Sequence, residues 1–132
     1  GHYKTLLEEC GLGLENRLNA PAGTLSGGQR QALAMVIAGM TDIELLILDE
    51  HTAALDPKSS ENIMALTDRL IKGKGITTLM VTHNLKYALS YGTRLVMLHA
   101  GNRVLDLKGD EKKNMKTEDL LSVFNRAGIS AT

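Results

Sequence analysis

At 132 residues, with 15 Lys+Arg against 15 Asp+Glu and a net charge of zero, the chain has room for one modest core and generates no field that would gather nucleic acid. Its one cysteine, Cys10, excludes an internal disulfide and fits a reducing setting, while the longest aliphatic run, Leu45–Leu48, is far too short to span a bilayer. No signal-peptide pattern opens the chain, and Gly1-His2 in place of Met reads as a tag scar or an excised segment, outside fold reasoning.

Tyr3–Cys10 reads as a short helix built on Leu6 and Leu7 and closed by Gly11 and Gly13. Glu15–Thr24 is polar and turn-rich. The spacing predicts a second helix from Ser26 to about Met40, with Leu33, Met35, Val36, Ile37 and Met40 as its apolar positions. Glu44–Asp49 is apolar without alternation, the pattern of a parallel strand covered on both faces. Pro57–Lys72 is a helix with Asp56 at the N-cap, Pro57 in its first turn, Gly73 at its end, and a buried stripe of Ile63, Leu66, Leu70 and Ile71. Thr77–Thr82 is another strand and Leu85–Ser90 a short helix. Arg94–His99 and Arg103–Leu107 form a hairpin about Gly101-Asn102. Lys108–Lys116, of mixed charge, reads as a solvated loop. Thr117–Ala127 closes the chain as a helix with Glu118 and Asp119 in its first turn. The strand–helix alternation argues an α/β layered fold. Met35, Met40, Met64, Met80 and Met97 read as packing.

Two segments carry chemistry. Ser26-Gly27-Gly28-Gln29 has the form of a capping box. A cap alone does not explain paired glycines in a first turn, where each costs about 1 kcal/mol against alanine. Glycines there let an anion approach the free N–H groups at the positive end of the helix dipole. The apolar strand Leu45–Leu48 ends in Asp49-Glu50. Ligands of open parallel sheets bind beyond the carboxyl ends of strands. There Asp49 can hold Mg²⁺ through its water shell, and Glu50 can act as general base toward an attacking water.

Leu25-Ser26-Gly27-Gly28-Gln29, followed by Arg30-Gln31, resembles the signature motif of the ABC-type ATPases, and Leu45–Glu50 resembles their Walker B strand. The fold this implies is part of a P-loop NTPase (RecA-like) parallel sheet with helices. Residues 1–41 would be a partial helical subdomain carrying the signature, and residues 42–132 the C-terminal part of the ATPase core. Thr52–Asp56 resembles the D-loop, with one departure: His51 stands where proline is usual. His83, after the strand Leu79-Met80-Val81, matches the switch histidine that contacts the γ-phosphate. The resemblance implies Glu50 and His83 as catalytic residues, Asp49 at Mg²⁺, and Leu25, Ser26, Gly27, Gly28, Gln29 and Asp56 at ATP. His2 and His99 have no such context.

The family's phosphate loop, Gly-x-x-x-x-Gly-Lys-Ser/Thr, is absent from the sequence, and Gly73-Lys74-Gly75 lacks its spacing and hydroxyl. The chain alone is therefore expected neither to bind ATP tightly nor to hydrolyse it. In the family each nucleotide lies between one subunit's phosphate loop and the other's signature. Ser26, Gly27 and Gly28 would then serve a partner's ATP, while Asp49, Glu50 and His83 would serve their own. The strand leading to that loop would lie between Thr77–Thr82 and Arg94–Val96, so three outcomes are expected: closure of the gap, filling by another chain, or poor stability. The implied function is the ATP-hydrolysing subunit of a bacterial ABC transporter of an importer-like subgroup. A second ATPase subunit (a homodimer) and transmembrane permease subunits would be its partners, with no nucleic acid. It would sit in the cytoplasm, peripheral on the inner face of the membrane. The alternatives are the C-terminal lobe of a DNA- or ribosome-associated relative, for which residues 3–24 lack the heptads, or a non-catalytic fragment.

Overall fold

The computed structural model describes residues 2–128, which gather into two compact units, residues 2–81 and 82–128. The first holds α1 (His2–Glu9), two single 3₁₀ turns (Leu14–Asn16 and Ala22–Thr24), α2 (Gly27–Met40), β1 (Leu45–Asp49), α3 (Pro57–Lys74) and β2 (Thr77–Val81). The second holds α4 (Leu85–Ser90), β3 (Arg94–His99), β4 (Asn102–Lys108), α5 (Gly109–Asn114) and α6 (Thr117–Arg126).

In the first unit the three helices make the core. Leu6 and Leu7 of α1, Cys10, Leu14, Leu25, Ala32 and Val36 of α2, and Ile63 and Leu66 of α3 form one buried cluster, with Leu12, Leu33, Leu55 and Leu70 packed against it. Burial among these aliphatics, with Glu9 and Glu15 nearby, pushes the Cys10 thiol up to about 11, so it stays an inert thiol donating to the Leu6 carbonyl at 3.3 Å. Helix α3 runs two residues beyond Lys72, the end expected from sequence with Gly73 as the stop. It ends instead at Gly75, whose φ of 64° makes the left-handed C-cap with its N–H on the Ile71 carbonyl.

Strands β1 and β2 pair in parallel, Leu45 against Thr77 through Asp49 against Val81, joined by α3 as a βαβ unit. Leu48 is buried and Leu46, Thr78 and Met80 are half-buried. The other face is open: Leu45, Ile47, Leu79 and Val81 are 47–62% exposed. The double-sided cover expected from these apolar runs is therefore met on one face only. Parallel strands are written apolar on both faces because each face takes a layer, and the described residues of this unit supply one. Ile37 and Met40 of α2 are also exposed, contrary to expectation.

In the second unit β3 and β4 form an antiparallel hairpin, with an irregularity between Met97 and Leu98. The turn is Ala100-Gly101, one residue earlier than the sequence suggested. Both residues have positive φ, 48° and 76°, the handedness that matches strand twist in two-residue hairpins. Arg94 grips both oxygens of Asp106 at 2.8 Å and Arg103 adds a third contact at 2.9 Å, which holds the Asp106 carboxyl below its ordinary range. Tyr87, Met97, Leu107 and Leu120 are buried. Among the described residues the strands form two two-stranded sheets, β1–β2 in the first unit and β3–β4 in the second.

Lys108–Lys116 is not a solvated loop. It folds as α5, and Lys112 is only 5% exposed. The charge pattern hid this because an ammonium on a long stem can be buried wherever carbonyls converge, and the Leu89, Tyr91 and Gly92 carbonyls meet it at 2.9, 2.6 and 3.0 Å.

Candidate functional site

The start of α2 is built as the sequence suggested. Ser26 is extended at the N-cap, its Oγ accepts the Gln29 N–H at 3.1 Å, and its own N–H donates to Gln29 Oε1 at 2.9 Å. The Gln29 amide also donates to the Leu12 carbonyl at 3.0 Å, Arg30 donates to the Leu25 carbonyl at 2.6 Å, and Leu25 is buried. Leu25 and Gln29 thus frame the helix start rather than face outward. The capping box uses the N–H groups of Ser26 and Gln29. Of the four donors a helix leaves open at its start, those of Gly27 and Gly28 are outside the box.

The two glycines then part company. A Cβ at Gly27 would meet nothing within 4 Å. A Cβ at Gly28 would lie 2.4 Å from Leu55 Cδ2 and 3.4 Å from the Ala54 carbonyl. Gly27 is the open approach to the helix end, while Gly28 is where the loop after β1 seats against α2. Sequence reasoning assigned both glycines one role because spacing does not show which side of the turn is occupied.

At the end of β1, Asp49 is exposed and Glu50 half-buried. The Glu50 N–H donates to the Val81 carbonyl at 2.9 Å, extending the parallel ladder one residue past the strand. Glu50 then has φ of 50°, a left-handed conformation that costs a residue bearing a Cβ about 1–2 kcal/mol. This turn separates the directions of two consecutive carboxylates. Beyond it, Ala53 N–H bonds the Glu50 carbonyl at 3.0 Å and Leu55 N–H the Thr52 carbonyl at 3.1 Å, a tight loop that delivers Leu55 to Gly28. Asp56 spends both oxygens on Ser59, accepting from its N–H at 3.0 Å and its hydroxyl at 2.6 Å, and these bonds hold its carboxyl below the usual range.

His51 gains a role that sequence did not assign. Its Nε2 lies 3.4 Å from Thr67 Oγ1, and that hydroxyl already donates to the Ile63 carbonyl at 2.7 Å. With its one proton spent, Thr67 accepts, so the ring carries its hydrogen on Nε2 and ties the loop to α3. Burial lowers the His51 pKa below 6.5. The folded protein therefore binds fewer protons at this site than the unfolded chain. The resulting stability is complete above about pH 6.5 and is lost as pH falls through 6.5 toward the folded value, no more steeply than about 1.4 kcal/mol per pH unit. Urea denaturation of the full-length protein at pH 7.5 and 5.5 should show this loss, and His51→Gln should flatten it.

His83 belongs to the second unit, exposed and one residue ahead of the Asn84 N-cap of α4. Thus the first unit seats Gly28 against Ala54 and Leu55 of the 50–56 loop, with Asp49 and Glu50 at the root of that loop. No group of three or more His, Cys, Asp or Glu poised for a metal occurs among the described residues. A lone exposed Asp49 at a strand end suits Mg²⁺, which keeps its waters and shares phosphate oxygens rather than entering an all-protein cage.

The sequence pattern of the family described as "ABC transporter" matches residues 2–53, which contain the α2 start and β1 through Glu50. A tyrosine transport ATP-binding protein of Clostridioides difficile is 52% identical over 122 residues, 92% of this chain and 49% of that protein. The chain is therefore similar to the ABC transporter family over residues 2–53 and to ATP-binding proteins of such transporters over most of its length. An energy-coupling factor transporter ATP-binding protein of Listeria monocytogenes is 37% identical over 120 residues, covering 91% of this chain and 41% of its own length. Among solved structures, an ATP-binding cassette of an ABC transporter in its ADP conformation aligns with a TM-score of 0.68 at 28% identity, over 93% of this chain and 48% of that one. The chain spans about half the length of the curated relatives it matches. The mixed helix-and-strand fold with its parallel β1–β2 pair is that of P-loop ATPase domains of this family.

Proposed function

We propose that these residues form part of the ATP-hydrolysing subunit of an ABC transporter. The observation behind this reading is the turn at Glu50: a non-glycine residue held left-handed at the carboxyl end of a parallel strand, directly after an exposed Asp49. Strain of this kind persists where the side chain is wanted at that spot, and clusters at active sites. In this reading Asp49 would hold Mg²⁺, which when bound would supply charge neutralisation at the phosphates. Glu50 orients and deprotonates the attacking water. His83 contacts the γ-phosphate. Residues 1–41 act as the signature-bearing subdomain and residues 42–132 as part of the ATPase core.

The open Gly27 turn offers N–H groups to the ATP of a second, identical subunit arranged head to tail, and the closed dimer drives transmembrane permease subunits. No helix among the described residues is long and apolar enough to cross a membrane, so the permease would hold the subunit at the cytoplasmic face. The similarity to a tyrosine transport ATP-binding protein supports transport of an amino-acid-like solute in a bacterium. His83→Ala in the full-length protein should lower kcat for ATP at least about a hundredfold while ATP affinity stays within a few-fold, the division expected of a group acting in the transition state. Unchanged kcat would contradict the assignment.

A further inference from the structure

Helix α4 is six residues long and begins two positions after His83. Fewer than two turns do not hold themselves in water, so its geometry depends on what pins its ends. At the front, Asn84 accepts the Tyr87 N–H on Oδ1 at 3.1 Å, and Thr82 Oγ1 accepts the Asn84 N–H at 3.0 Å, bracketing His83. In the middle, Tyr87 is buried and meets the Tyr91 ring edge-on at 6.1 Å. At the rear the last carbonyls would be orphaned. Lys112 collects the Leu89 carbonyl of the last turn, that of the C-cap Tyr91 and that of Gly92 just beyond it on one ammonium at 2.6–3.0 Å.

We propose that Lys112 is a positioning residue for the switch histidine, a clamp that fixes α4 from its C-terminal end and thereby the backbone from which His83 projects. An ammonium is costly to bury, and here it is buried against the end of one short helix, where a cation also suits the dipole. Burial holds the Lys112 pKa below its ordinary value. The neighbouring Lys113 is 79% exposed and makes no comparable set of bonds. Three carbonyls converging on one point match the three protons of an ammonium. A planar guanidinium spreads its donors and cannot meet all three.

The proposal rests on the reading of His83 given above, and the tests separate the two. In the full-length protein, Lys112→Met should lower kcat for ATP tenfold or more with KM within twofold. Lys112→Arg, which keeps the charge on a stem one methylene shorter, should lower kcat about threefold to tenfold at unchanged KM, because small displacements of a catalytic group cost rate rather than binding. Lys113→Met should match the parent. A folded Lys112→Arg or Lys112→Met protein with parental kcat, its melting point alone shifted, would overturn the clamp and leave a merely structural lysine. If His83→Ala keeps its kcat, the underlying reading fails instead, whatever the Lys112 variants do.

Discussion

Glu50→Gln in the full-length protein is expected to lower kcat for ATP hydrolysis by two to four orders of magnitude, the range for removing a general base, while ATP affinity stays within a few-fold. The substitution keeps side-chain length and leaves the left-handed backbone at φ 50° in place, so the fold around β1 should not move. What it removes is the ability to take a proton from water. The left-handed turn makes this a specific claim. A glycine would adopt the turn without strain, yet a glutamate stands there, held by the ladder bond from its N–H to Val81. Steady-state kinetics with parallel ATP-binding measurements decide it: a Glu50→Gln protein turning over within threefold of the parent would remove the main support for hydrolysis at this strand end.

The second large effect divides two adjacent glycines. Gly27→Val places its methyls in open space, so the melting point should stay within what a change of about 0.5 kcal/mol produces. Turnover should nevertheless fall at least about a hundredfold, because the side chain covers the N–H groups a phosphate must reach. Gly28→Val drives a Cβ into Leu55 Cδ2, 2.4 Å away, with the Ala54 carbonyl at 3.4 Å behind it. The leucine tip can shift, but it is also packed against the core cluster, so overpacking should cost about 1–3 kcal/mol. Thermal melting and ATPase assays on both proteins test the contrast. Equal melting of the two variants, or full activity of the Gly27→Val protein, would contradict the separation of roles.

Periodicity and caps were readable where local chemistry decides structure. Ser26 with Gln29, Asp56 with Pro57 and Asn84 are self-contained caps, and the helices they start lie where the sequence places them. Local signals failed where a partner elsewhere in the chain decides. Gly73 looked like a stop, yet α3 continued to the glycine that can donate back to Ile71. Lys112 looked solvated because three backbone carbonyls leave no trace in a sequence. The tie from His51 to Thr67 was equally invisible, since a threonine on a helix face usually spends its hydroxyl on its own helix, as Thr67 does with Ile63, and only the fold shows the second contact. The exposed face of Ile47 and Leu79 was misjudged for the opposite reason: its residues are written for a cover that the described residues do not supply. In the candidate site, residue types and spacing named Ser26, Gly27, Asp49 and Glu50. They also marked Gln29 and Asp56 as caps, as the structure has them, but did not show that Gly28 is a packing surface for Leu55.

Above all, the proposed mechanism requires that Gly27 and Glu50 of one chain serve different nucleotides. Mixed dimers of the full-length protein, purified through two different tags, put this to the test. If the requirement holds, a dimer with Gly27→Val in one subunit and Glu50→Gln in the other concentrates both lesions in one site, and the remaining site is intact. A dimer carrying both substitutions in one subunit beside an unaltered partner then has one lesion in each site and should be inactive. ATP turnover is expected in the first dimer and none above background in the second. Turnover in the second and none in the first would show that both residues act on the same nucleotide, and would contradict the mechanism.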